Sequence, residues 1–129
     1  MLVGGVAILI SNMAAGPGSG IPIDVKVPAL SAEATSGLAS FNKNCASCHG
    51  PNASGSKQGP PLIHTIYNPG HHADGAFFLA AKTGVRQHHW TFGNMPPQPH
   101  VTDRDVTSIL AYIRELQRAN GIVYKAHNM

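Results

Sequence analysis

Two cysteines with two residues between them, Cys45 and Cys48, followed directly by His49, constrain this chain more than any other feature. Sulfurs at that spacing reach one edge of a single macrocycle. Each can add to a haem vinyl group, and the next residue then lies where an imidazole can rise to the iron, which is the pattern of c-type haem attachment. Cys45 and Cys48 are the only cysteines, so none remains for a disulfide or a cysteine-rich zinc site. A thioredoxin-like reading of the same pair asks for a βαβ context that the sequence lacks, and it leaves His49 without a role.

A chain of 129 residues is the size of one domain. Its 43% hydrophobic content is enough for a core, but 14 Gly and 10 Pro make it loop-rich. A covalently held macrocycle would supply part of the missing apolar surface. Nine Lys and Arg stand against six Asp and Glu, a formal net charge of +3. Haem propionates would offset most of that charge, so a nucleic-acid partner is not expected. The balance suits an acidic redox protein.

Residues 1–15 are almost entirely apolar and end in Ala14 and Ala15, with Gly16 next. The run is shorter than the roughly 18–20 residues of a spanning helix, and it reads as the apolar part of a secretory signal. The basic residues that usually precede such a segment are missing, and an uncleaved membrane anchor is the alternative. Export suits the cofactor, because thioether attachment takes place outside the bacterial cytoplasm. A periplasmic or otherwise extracytoplasmic location is therefore expected, with membrane association only through residues 1–15. Residues 16–30, with three prolines, read as a linker or extended arm.

The domain proper is expected over residues 31–121. Ser31 is a good N-cap and Glu33 favours the first turn of a helix reaching about Cys45. Gly37, Phe41 and Cys45 recur every four residues and share one face, which predicts close packing on a second helix. Gly50 to Gly59 reads as a surface loop. Pro60 follows, with a carbonyl to offer the second ring nitrogen of His49, and Leu62 is placed against the haem face.

Asp74 to Thr83 predicts a helix ended by Gly84, with Phe77 and Phe78 in the core or the pocket. Met95 lies in a Gly/Pro-rich turn, 46 residues beyond His49, where a core methionine would be out of place. A thioether held there by Pro96 and Pro97 is a candidate sixth ligand opposite an imidazole. Trp90 has two readings, an indole donor to a haem propionate or plain burial. The final helix is predicted over 102–121, capped by Thr102, with Val106, Ile109, Leu110, Ile113 and Leu116 on its apolar face. Arg114 and Arg118 load its end, and residues 122–129 read as a frayed tail.

The residues Gly37-x3-Phe41-x3-Cys45-x2-Cys48-His49, Gly59-Pro60-x-Leu62 and Gly93-Asn94-Met95-Pro96, followed by a C-terminal helix with Tyr112, resemble the class I monohaem cytochromes c. The resemblance implies a small all-α fold of three to five helices around one haem c. It also implies thioethers at Cys45 and Cys48, His49 and Met95 as axial iron ligands, and Pro60, Leu62 and Trp90 in the haem pocket. The activity implied is one-electron transfer rather than catalysis, with an oxidase, reductase or copper protein as partner. Two alternatives stand beside it. One is a haem sensor or enzyme with an openable sixth site. The other is a copper-linked or zinc-binding module using His71/His72 and His88/His89. Adjacent histidines seldom converge on one metal, and most of the eight histidines read as loop residues.

Overall fold

A computed structural model describes residues 22–127. The signal or anchor expected at 1–15, and the start of the arm, lie outside the described residues. The elements are α1 (Ala32–Asn44), the one-turn α2 (Ala46–His49), α3 (Asp74–Thr83) and α4 (Asp103–Ala119), with short 3-10 turns at Pro51–Ala53 and Thr65–Tyr67. Among the described residues there is no strand, only an isolated bridge between Val85 and Met95. The fold is all-α. No helix among the described residues is long and apolar enough to cross a membrane.

Local chemistry sets the helix ends. The Ser31 hydroxyl accepts from the Ala34 N–H at 3.1 Å, satisfying one orphan donor of α1. Glu115 of α4 reaches the same cap, accepting from the Ser31 N–H at 2.9 Å and the Ser31 hydroxyl at 2.6 Å. Those bonds hold its carboxyl below the usual carboxylate range. At the start of α4, Thr102 and Asp105 form a reciprocal capping box.

The core is the crossing of α1 and α4. Gly37 sits so close to α4 that a Cβ there would collide with the Ser108 carbonyl and the Tyr112 Cβ. One turn on, the rings of Phe41 and Tyr112 pack tilted with centroids 5.6 Å apart. Ala34, Ile109, Ile113 and Leu116 complete the seam, all buried. Each large side chain buried there contributes roughly 1.5–3 kcal/mol.

Two segments and one side chain differ from expectation. The Gly50–Gly59 segment is no open surface loop: Ala53, Ser54, Gly55 and Gly59 are buried, and Asn52 and Ala53 adopt left-handed backbone angles. The segment is folded inward to reach under His49. The tail past α4 is not frayed through 127, because Ile122 joins the core and the Lys125 N–H donates to Asn68 Oδ1 at 3.0 Å.

Arg114 is not an end-of-helix surface charge but is buried, 8% exposed. Its guanidinium donates to the Tyr67 carbonyl at 2.7 Å, the His72 carbonyl at 2.7 Å and Asp74 at 3.0 Å. It also lies over the Phe77 ring, 4.9 Å from the centroid.

Gly37→Ala is expected to destabilise the protein by about 2–3 kcal/mol, since backbone blocks the new methyl and the helices must separate. Arg114→Ala, which removes the donor to the His72 carbonyl and to Gln117 Oε1 and empties a buried site over Phe77, is expected to cost about 3 kcal/mol. Denaturant unfolding of the two variants measures both.

Candidate functional site

Below the α1–α4 crossing lies an open-sided pocket of about 400 Å³, lined mostly by apolar side chains. Phe41 and Ile109 form its floor from the core, and α3 contributes Ala76, Phe77 and Ala80. The structure brings Cys45, His49, Pro60, Leu62, Trp90 and Met95 together around this one space. Cys48 stands exposed on α2 beside them.

The turn from α1 into α2 presents the attachment residues. Cys45 closes α1 by bonding its N–H to the Phe41 carbonyl at 2.8 Å, and α2 then carries Cys48 and His49 around a single turn. Both thiols are free. Burial pushes the Cys45 thiol up to about 11, with a further push from Cys48 nearby. As a free group it is therefore a neutral thiol, at ease among apolar neighbours.

His49 Nδ1 lies 2.9 Å from the Pro60 carbonyl oxygen. A carbonyl only accepts, so Nδ1 carries the proton and Nε2 keeps its lone pair. Burial pulls the His49 pKa down, partly opposed by the Pro60 bond, and the ring is neutral. Neutral imidazole with its far nitrogen anchored is the form that ligates a metal. The anchor is positioned by tight backbone packing, since a Cβ on Gly59 would press on the Cys48 carbonyl.

Met95 comes from a separate segment and its backbone is pinned. It exchanges both main-chain bonds with Val85, at 3.0 and 2.9 Å, and the Gln98 N–H donates to the Ala81 carbonyl at 2.7 Å. Gly84, with φ of +75°, lets the chain leave α3 directly beneath the Met95 carbonyl, where a Cβ would not fit. Asn94 and Gln87 cross-link the turn side chain to backbone, at 2.9 and 2.6 Å.

The Trp90 indole N–H does not point free for a propionate. It donates to the Tyr67 hydroxyl at 2.8 Å. Tyr67 lines the pocket, and its own hydroxyl is pushed up to about 12 by burial, against the lowering bond from Trp90. Nothing in the spacing of the sequence singled out this tyrosine; only the folding of the Thr65–Tyr67 turn against Trp90 reveals it. His72, His88 and His89 also line the pocket, from loops on either side of α3.

These features fit a haem attached through thiols. The cavity is apolar, a thiol pair stands at one end, and two neutral soft or borderline donors face the space from different segments. Comparison with curated proteins and with solved structures finds no match. Residues 34–117, more than half of the chain, match the family model described as Cytochrome c. That span runs from the first buried residue of α1 to the last buried residue of α4 and encloses every wall of the pocket. The chain therefore belongs to the cytochrome c family, in which haem c is the cofactor and haem-based electron transfer the activity.

Proposed function

We propose that this protein is an extracytoplasmic one-electron carrier with a single haem c, bound through thioethers at Cys45 and Cys48 and ligated axially by His49 and Met95. The observation that carries the reading is the convergence of a neutral, carbonyl-anchored His49 and a backbone-pinned Met95 on one apolar pocket. A single cofactor is supported by the single Cys-x-x-Cys-His in the chain. When bound, the haem supplies the ferric/ferrous couple.

The chain's own residues do the remaining work. Pro60 fixes the tautomer of His49 and presents Nε2 to the pocket. The Val85–Met95 bridge and the two prolines after Met95 pin the backbone from which the thioether would reach the iron, so that ligand would resist displacement. A soft sulfur opposite imidazole favours the reduced state and raises the potential. Phe41, Phe77 and Leu62 line the pocket and would exclude water from a bound haem. The Trp90 indole N–H is satisfied by the Tyr67 hydroxyl oxygen, so this half-buried donor needs no water partner. The pinning of Met95 favours a carrier over a sensor or an enzyme.

Lys43, Lys57, Lys82 and Arg86 are exposed, and Arg86 also lines the pocket. We assign them to docking of an acidic redox protein, an oxidase, reductase or copper protein. An extracytoplasmic location follows from where thioether attachment is made, and from the apolar residues 1–15.

The oxidised protein is expected to show the weak long-wavelength charge-transfer band of methionine–iron ligation. In Met95→Ala the band should vanish, the reduction potential should fall, and the ferrous protein should bind carbon monoxide rapidly. A band that survives in Met95→Ala refutes the axial assignment. Stopped-flow reduction by an acidic partner is expected to slow as ionic strength rises, and Lys82→Gln with Arg86→Gln should flatten that dependence. A salt-independent rate refutes the docking assignment.

A further inference from the structure

Five of the eight histidines meet at one place. His71 and His72 precede α3, His88 and His89 follow it, and His127 arrives on the chain past α4. Their rings stack and tilt against one another with centroid separations of 4.3–6.1 Å. Histidines from three separate segments have no packing reason to gather on a half-exposed rim, since leucine or phenylalanine would bury better.

The geometry within the cluster is more specific than the gathering. Ligand nitrogens of His71, His72 and His89 all lie within 4.8 Å of one another. His71 Nε2 and His89 Nε2 are 3.2 Å apart. Two nitrogens each about 2.0–2.1 Å from a tetrahedral zinc ion stand about 3.3–3.4 Å apart. Adjacent donors in a square plane stand closer, about 2.9 Å.

The outer nitrogens are anchored as ligating histidines require. His72 Nδ1 donates to the Ile66 carbonyl at 2.7 Å, which leaves Nε2 its lone pair. His71 Nδ1 lies 2.6 Å from His127 Nδ1, so that His127 can play the same anchoring part for His71. His88 Nδ1 is tied to the Arg86 carbonyl at 2.8 Å.

We propose that His71, His72 and His89 form a zinc(II) site at the rim of the pocket, with His127 orienting His71 and water completing the tetrahedron. Three imidazoles with no carboxylate are a borderline donor set matched to this ion, and the 3.2 Å between His71 Nε2 and His89 Nε2 is close to a tetrahedral edge, with His72 within 4.8 Å of both. Burial pulls the pKa of His72 down, partly opposed by its bond to the Ile66 carbonyl, and burial with the neighbouring imidazoles pulls that of His89 down. The Arg114 charge beneath His72 is shared with Asp74 at 3.0 Å. An ion here would fasten the segment before α3 to the segment after it, clipping the two ends of one pocket wall together.

The test is a zinc titration of the haem-loaded full chain against a chromogenic chelator, with zinc-edge X-ray absorption of the complex. The expected result is one equivalent bound, with three imidazole nitrogens at about 2.0–2.1 Å. His71→Ala and His89→Ala should each abolish that equivalent, and His127→Ala should weaken it about tenfold. His100→Ala, whose ring is bonded to Asn44 elsewhere, should bind as the parent does. Zinc should also raise the melting temperature of the parent and of His100→Ala but not of His89→Ala. Absent binding, binding that survives both His71→Ala and His89→Ala, or a site that takes copper(II) and excludes zinc overturns the proposal. None of these readouts depends on the axial ligands of the haem, so the carrier reading and the zinc site fail separately.

Discussion

Everything in this protein hangs on how closely α4 can approach α1. Without a side chain at Gly37, the Ser108 backbone comes within van der Waals reach of the α1 backbone. The Phe41 and Tyr112 rings then meet one turn further along, and their separation sets the depth at which the pocket begins. A methyl group at the crossing would move both rings, and with them Cys45, which follows Phe41 by one turn of the same helix. The attachment residues inherit their position from a contact that touches no cofactor.

The far wall of the pocket is organised by a second contact from the same helix. Arg114 and Gln117 both reach the Tyr67 carbonyl, at 2.7 and 2.9 Å, and Gln117 also donates to the Leu62 carbonyl at 3.1 Å. Two buried polar side chains thus satisfy the main chain of a segment with almost no regular structure. A loop cannot be buried with its carbonyls unpaired, and α4 supplies the missing donors. This is why 62–73, poor in helix, nevertheless carries Leu62, Tyr67 and His72 to defined places. One amphipathic helix therefore closes the core with its apolar stripe and holds the pocket wall with its polar flank.

Much of this was legible in the sequence, and the rest was hidden for identifiable reasons. Periodicity marks α4, and the spacing of Gly37, Phe41 and Cys45 marks the face that α1 buries, because both signals are local. Ser31 and Thr102 likewise announce their helix starts. Arg114 misleads, since a basic residue near a helix C-terminus is ordinarily a solvated charge, and only the return of 67–74 beneath α4 buries it. The bond between Tyr67 and Trp90 spans 23 residues of irregular chain, and no spacing rule reports such a pair. The histidine pairs mislead in the opposite direction. They read as separate loop residues, but the chain turning around α3 brings the two pairs against each other, which sequence adjacency does not reveal. The tail past α4 looked free because its anchors, Asn68 and the core around Ile122, belong to distant segments.

Asn120 shows how a single amide can govern a strand-like segment that has no strand partner. Its side chain accepts from the Lys26 N–H and donates to the Lys26 carbonyl, both at 2.8 Å, copying the paired main-chain bonds of a sheet neighbour. Along this extended stretch the side chains alternate, so Ile23 and Val25 turn to the core while Asp24 and Lys26 face water. A slip of one residue against Asn120 would reverse that order and drive a carboxylate and an ammonium into the apolar seam. Asn120, together with the bond from the Ile23 N–H to the Ser54 carbonyl at 2.9 Å, thus fixes the register of the arm against the core.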